Sequence, residues 1–294
     1  MRILLYIPLW HRPEIVALFI RNMEANLCEY AEVIPYFVVS PEDENFSDLI
    51  NLTQGYNRAL IKNEPFGHKK NEGLNRACGL EWDYLMELNS DTVYTCKLWE
   101  LHKPYFDEGV AFFGFKNIYI YEPFLNKAVY VEGYHIGHRD EVTALGPGRC
   151  IRRDVVERCM PLWEDSAPFG MDGYSENVIF QSGYDCLLID NLKEPVICDV
   201  KGTVCLTCFM QWEECGVACD VNFVREAFNL SPAACMDLKN FDTFHSAVLK
   251  VSNEMKKPDA FNLINEAYKI QHGEARYSSY DSYKNVVSHK HKNR

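Results

Sequence analysis

Basic residues are in short supply. Lys and Arg number 30 against 42 for Asp and Glu, a formal charge of −12 over 294 residues. A surface of that sign repels phosphate backbones and anionic membranes, so an anionic ligand needs a local basic site or a metal. Long apolar runs are missing as well. No window approaches the roughly 18 apolar residues of a membrane span. The opening MRILLYIPLWHRPE is broken by polar residues too soon for a signal peptide, and the chain reads as cytosolic. Neither an internal repeat nor a low-complexity segment occurs. What remains, 47% hydrophobic and 24% charged residues, is the composition of a globular protein with one large or two modest domains.

The 12 cysteines sit mostly inside apolar runs such as VICDVKGTVCLTCF, as small core hydrophobes do, and reduced thiols are expected. Cys205, Cys208, Cys215 and Cys219 begin with a C-x-x-C pair and can be read as four thiolates for zinc. The alternative is a buried strand, TVCLTCF, followed by a helix with Cys215 and Cys219 on one face.

RILLYIPLW is a strand-length apolar run, and PEIVALFIRNMEANL carries apolar residues at helical spacing behind Pro13. AEVIPYFVVS reads as a second strand. RALIKNE then leads into PFGHKKNEGLNRACGLE, a Gly-bounded loop and a helix, and DYLMELNSD is a further strand. Strands alternating with helices predict a mostly parallel sheet, which binds ligands beyond the carboxyl ends of its strands. GVAFFGFKNIYIYEP and KAVYVEGYHIG add strands with an antiparallel hairpin, making the sheet mixed. Past roughly Asp220 the pattern is helical, and the tail KNVVSHKHKNR holds Lys284, Lys290, Lys292 and Arg294 without an acid.

Several polar groups fall at strand ends. Asp91, after DYLMELNS, can hold a hard divalent cation, with Asn89 adding an oxygen, or the two can cap the next helix. NEPFGHKKN places His68, Lys69 and Lys70 beside Gly67 before a helix, a cradle for a diphosphate or a solvated basic turn. Asp172 and Glu176 are four residues apart at the start of a helix and so can share a face, as a general base would need or as a helix N-terminus prefers. LGPGRCIRRDVVE offers Arg149, Arg152 and Arg153 to a ligand or to surface acids. Lys201 precedes Gly202 after a strand and can meet a phosphate or complete a turn.

Together these pieces resemble the GT-A fold glycosyltransferases, closest to the family 2-like group of phage and bacterial enzymes, over about residues 3 to 205. YIPLWHRPE is similar to the first-strand motif of that family, which implies donor contacts from Pro8 and Arg12. PFGHKKNEGLNRA looks like the loop bordering the nucleotide diphosphate, with Lys69 and Asn71. LNSD stands where the family has its Asp-x-Asp motif: Asp91 matches the metal-holding acid, Asn89 departs from the first, and Ser90 lies between them. SPEDE puts Glu42 and Asp43 near the nucleoside base. GMDGYSE resembles the Glu-Asp motif with Met171 in place of Glu, leaving Asp172 as base with Glu176 beside it. DVKG offers Lys201 where relatives have a late metal-binding His, and Arg149 and Arg152 are assigned to the acceptor.

The resemblance implies an α/β GT-A domain over 1–220, with 221–294 as a helical extension ending in the basic tail. It implies transfer of a sugar from a nucleotide diphosphate sugar, of the UDP type, to an acceptor hydroxyl with inversion, using Mn2+ or Mg2+. Two alternatives are a nucleotidyltransferase, which PLWHRPE disfavours by having no glycine after the first strand, and a binding module without catalysis, which Asn89 and Met171 favour. A saccharide or protein-linked acceptor is favoured over a modified base in phage DNA, because the net charge opposes DNA.

Overall fold

The computed structural model describes residues 1–63, 65–123, 126–133, 143–167, 171–201, 209–213 and 215–230. The first half alternates strand and helix: β1 (Arg2–Pro8), α1 (Pro13–Ala25), β2 (Glu32–Val39), α2 (Phe46–Leu52), β3 (Asn57–Leu60), α3 (Phe66–Ala77) and β4 (Tyr84–Glu87). β1 is apolar nearly throughout because both of its faces are covered. Ile3, Leu5 and Ile7 enter one core with Val16, Phe19 and Met23 of α1, while Leu4 and Tyr6 enter the other with Leu74 and Ala77 of α3. Burial of each such aliphatic side chain contributes roughly 1.5–3 kcal/mol.

Then follow β5 (Thr92–Tyr94), α4 (Lys97–Asp107), β6 (Phe112–Phe115), β7 (Ile118–Glu122), β8 (Lys127–Val131), β9 (Cys150–Arg152), α5 (Arg153–Cys159) and α6 (Met171–Gln181). The described chain closes with β10 (Leu187–Ile189), β11 (Ile197–Val200), α7 (Phe209–Glu213), β12 (Val217–Cys219) and α8 (Val221–Ala227).

Seven strands form one sheet in the order β10-β6-β9-β4-β1-β2-β3, parallel except where β9 runs against β4 and β6. A second sheet has the order β12-β8-β7-β11-β5 and contains the antiparallel β7–β8 hairpin. β1 leads to β2 on one side, and the chain later returns to lay β4 on the other. The gap between the carboxyl ends of β1 and β4 is therefore a topological switch point, where such sheets leave a crevice. Asn89, Ser90 and Asp91 join β4 of the first sheet to β5 of the second.

Three expectations need correction. The predicted loop around Gly67 is helical, because α3 starts at Phe66 and takes His68, Lys69 and Lys70 into its first turns. Asp91 precedes a strand rather than a helix, since Thr92–Tyr94 pair with β11. Cys219 lies on β12, paired with β8, and not on a helix with Cys215; Cys205 and Cys208 lie outside the described residues. Beyond these, buried packing continues past residue 220. Val224, Phe228 and Leu230 pack with Tyr119 and Tyr121, so α8 belongs to the same unit as the sheets. The predicted helices and basic tail beyond residue 230 lie outside the described residues.

Candidate active site

β1 ends at Pro8, and the chain turns by placing two consecutive non-glycine residues, His11 (φ 57°) and Arg12 (φ 55°), in the left-handed region. Such conformations cost on the order of 1–3 kcal/mol each and persist only where the surroundings enforce them. Asp43 enforces this one. Its carboxylate accepts from the His11 backbone N–H at 2.6 Å and lies 3.1 Å from the ring Nδ1. Burial alone would raise the Asp43 carboxyl, but the bonds from His11 and from the Asn45 N–H outweigh it and hold it below the usual carboxylate range.

The strained turn delivers Arg12 to Asp91, with Nη1 3.2 Å from Oδ2. On the far side of Asp91 stands Lys201, just past β11, whose Nζ is 3.9 Å from the same oxygen and 3.1 Å from Oδ2 of Asp199. Thr92 donates to the other Asp199 oxygen at 2.7 Å. Two carboxylates and two cations thus sit together, all largely buried, at the carboxyl end of β4. Burial acts to raise the Asp91 carboxyl, yet Lys201 and then Arg12 hold it below its ordinary value. Asp199 goes the other way: burial, reinforced by the charge of Asp91, raises it against the pull of Lys201.

Asp172 opens α6 with its side chain 31% exposed. Its carboxylate rests on Gly146, and the segment behind Gly146 runs beside the end of β4: Gly148 N–H donates to Glu87 O, and Glu87 N–H to Arg149 O. Asp172 and the Asp91 cluster therefore share one end of the sheet, beside the switch point. Glu176, one turn deeper, is 6% exposed.

Other expected contacts are placed differently. Lys69 is fully enclosed; its Nζ donates to Leu9 O at 2.5 Å and Asn63 Oδ1 at 3.0 Å, bracing the β1 turn from behind. Burial pulls its pKa down to about 7, against the charges of Asp43 and Glu42. Asn71 holds the 163–165 segment through Trp163 and Asp165. The N–H groups of Gly67 and His68 donate to Ala167 O and Asp165 O, so the start of α3 is capped by protein. Glu42 accepts from the Asn63 N–H.

Arg149, expected at the acceptor, has no exposed surface and bonds Ala144 O, Asp172 O and Ser175 Oγ. Arg152 pairs with Tyr84, the first residue of β4, and binds Asp154 and Gly109 O, at the opposite end of the sheet from the crevice. Ser90 and Asn89 flank Asp91 as expected, with Ser90 Oγ 3.5 Å from Arg12 Nη2. Asp199 was not anticipated. The signal was an acid inside the apolar run VICDVK, two residues before Lys201.

No family model matches the sequence, and a search of curated proteins returns no match. Solved structures do match. Staphylococcus aureus TarS aligns over 100% of this chain with a TM-score of 0.52 and 8% identity. This chain spans 49% of TarS, about half its length. TarS 1–349 in complex with UDP aligns over 92% of this chain and 80% of its own, with a TM-score of 0.50 and 11% identity.

The fold is GT-A. The Asp91 cluster lies at the carboxyl end of β4 beside the switch point between β1 and β4, and Asp172 lies at the same end of the sheet. A mannosyltransferase from Pyrobaculum calidifontis in complex with GDP-Man and Mn2+ aligns with a TM-score of 0.49 and 12% identity over 99% of this chain and 85% of its own.

Proposed function

We propose that the protein is a glycosyltransferase that moves a sugar from a nucleotide diphosphate sugar of the UDP type to an acceptor hydroxyl, inverting the anomeric centre. The observation that carries this reading is the shared location of the Asp91–Arg12–Lys201–Asp199 cluster and the Asp172 carboxylate at the carboxyl end of β4. The first suits a diphosphate and the second a proton acceptor. The likeness to TarS 1–349 in complex with UDP supports a uridine-type donor.

In this mechanism Asp172 takes the proton of the acceptor hydroxyl as its oxygen attacks the anomeric carbon. The bond from that carbon to the diphosphate breaks, and its electron pair leaves with the diphosphate oxygen. Arg12 and Lys201 supply fixed positive charge where that negative charge grows. Asp43 keeps the β1 turn in the conformation that aims Arg12, and Lys69 braces it.

Asp91 and Asp199 are hard oxygen ligands of the type Mn2+ or Mg2+ takes; Arg12 and Lys201 pair with them, so the ion would share these carboxylates with the two cations. Among the described residues no three His, Cys, Asp or Glu side chains are grouped for a metal, so water and phosphate oxygens would complete the coordination. When bound, the ion supplies further neutralisation of the departing diphosphate.

The catalytic unit extends from residue 1 through Leu230 at least, with the rest of 221–294 as an extension. A saccharide or protein-linked hydroxyl is the acceptor we favour, since a chain of charge −12 repels DNA. No helix among the described residues is long and apolar enough to cross a membrane. The test is incubation with a panel of nucleotide sugars, with and without Mn2+, followed by assay of free nucleoside diphosphate. Release from a UDP-sugar is expected; no release from any donor overturns the reading.

A further inference from the structure

Gly146 lies in the segment just before β9, and Asp172 lies across from it in the first turn of α6. A Cβ placed on Gly146 would come within 2.7 Å of Asp172 Oδ1, 2.8 Å of Oδ2 and 2.9 Å of Cγ, its three nearest neighbours. All three are shorter than real contacts allow. The carboxylate thus rests flat against the glycine, and any side chain there must push it away.

Arg149, three residues on, grips the same turn from inside. Its Nη1 donates to Asp172 O at 3.1 Å and to Ser175 Oγ at 2.7 Å, and Ser175 Oγ in turn donates to Asp172 O at 3.1 Å. Nη2 binds Ala144 O at 3.1 Å, Nε binds Leu145 O at 3.3 Å, and Nη2 is 3.9 Å from Asp172 Oδ1. One buried guanidinium therefore ties the segment carrying Gly146 to the helix turn carrying Asp172.

We propose that Gly146 and Arg149 are positioning residues for Asp172: the glycine supplies the surface on which the carboxylate lies, and the arginine fixes the helix turn against that surface. This rests on the reading of Asp172 as base. A base must sit within about 2.6–3.2 Å of the hydroxyl it deprotonates, so displacement by a methyl group is enough to disable it. Neither residue contacts substrate in this assignment.

The test is a double-mutant cycle of Gly146→Ala and Asp172→Ala, read by both turnover and melting temperature. Gly146→Ala is expected to lower kcat at least 100-fold with the donor KM changed less than threefold, and to leave Tm nearly unchanged, because the displaced atoms are the end of a partly exposed side chain that can swing aside. In the Asp172→Ala background, where the opposing oxygens are gone, the same change is expected to leave both kcat and Tm unaltered. Arg149→Lys, which keeps charge but loses the fork, is expected to lower kcat at least tenfold with the donor KM held.

An active wild type whose kcat survives Gly146→Ala within threefold overturns the proposal, as does an equal fold-loss of kcat in the two backgrounds. A wild type that turns over no donor overturns the base assignment itself.

Discussion

Lys201 Nζ lies 3.1 Å from Asp199 Oδ2: Asp199 is on β11 and Lys201 just past its end, and alternation along an extended chain puts positions two apart on one face. The ammonium reaches Asp91 as well, so one cation serves two buried acids. Removing it leaves excess negative charge beside Arg12. Lys201→Met is therefore expected to tighten Mn2+ binding to the nucleotide-free protein by about tenfold or more, roughly 1.4 kcal/mol. UDP affinity in the presence of a chelator should fall in the same variant. Calorimetric titration checks both.

Asp172→Asn keeps the shape of the base and removes its proton affinity. Turnover is expected to drop on the order of 10²- to 10⁴-fold with donor affinity unchanged. Steady-state kinetics with the donor that supports release, alongside UDP titration, separates the two. Arg152→Ala, at the far end of the sheet, serves as the control and is expected to leave turnover within about twofold.

Lys69 links stability to pH. Its pKa falls from 10.5 unfolded to about 7 folded, with burial as the dominant cause. Between those values the unfolded chain binds more protons, so the burial penalty is fully present below about pH 7 and is relieved as pH rises toward 10.5. The slope is at most about 1.4 kcal/mol per pH unit. Urea unfolding of wild type and Lys69→Met at pH 6.5 and 9 is expected to show the advantage of the wild type growing at the higher pH.

Gly67→Ala puts a Cβ 1.8 Å from the carbonyl oxygen of Glu164, which is backbone and cannot step aside. A destabilisation of about 3 kcal/mol or more is expected, read as a drop in Tm. Were this glycine instead a phosphate contact, nucleotide binding would weaken while Tm stayed constant.

The strand-helix alternation through Glu87 was legible because β1 and α1 obey simple periodicities, and a buried parallel strand such as RILLYIP has few other readings. Asp91 and Asp172 were legible as acids at element ends near glycine or a strand. The basic trio in α3 misled because charge looks exposed in a sequence, whereas Lys69 and Lys70 are buried on partners distant along the chain: Leu9 O for one, Glu87 for the other. Arg149 is likewise buried, on carbonyl and hydroxyl partners that sequence order does not reveal. Asp199 escaped because its meaning depends on β11 pairing with β5, a contact between residues 107 positions apart. Short strands such as β10 and β12 carry too few residues to show a period.

Asn89, Ser90 and Asp91 form the seam between two separately hydrogen-bonded sheets, with Arg12 reaching the seam from one sheet and Lys201 from the other. Whatever bridges those two cations stitches the sheets together. On the proposed reading, a donor diphosphate held between Arg12 and Lys201 would act as a clasp across that seam.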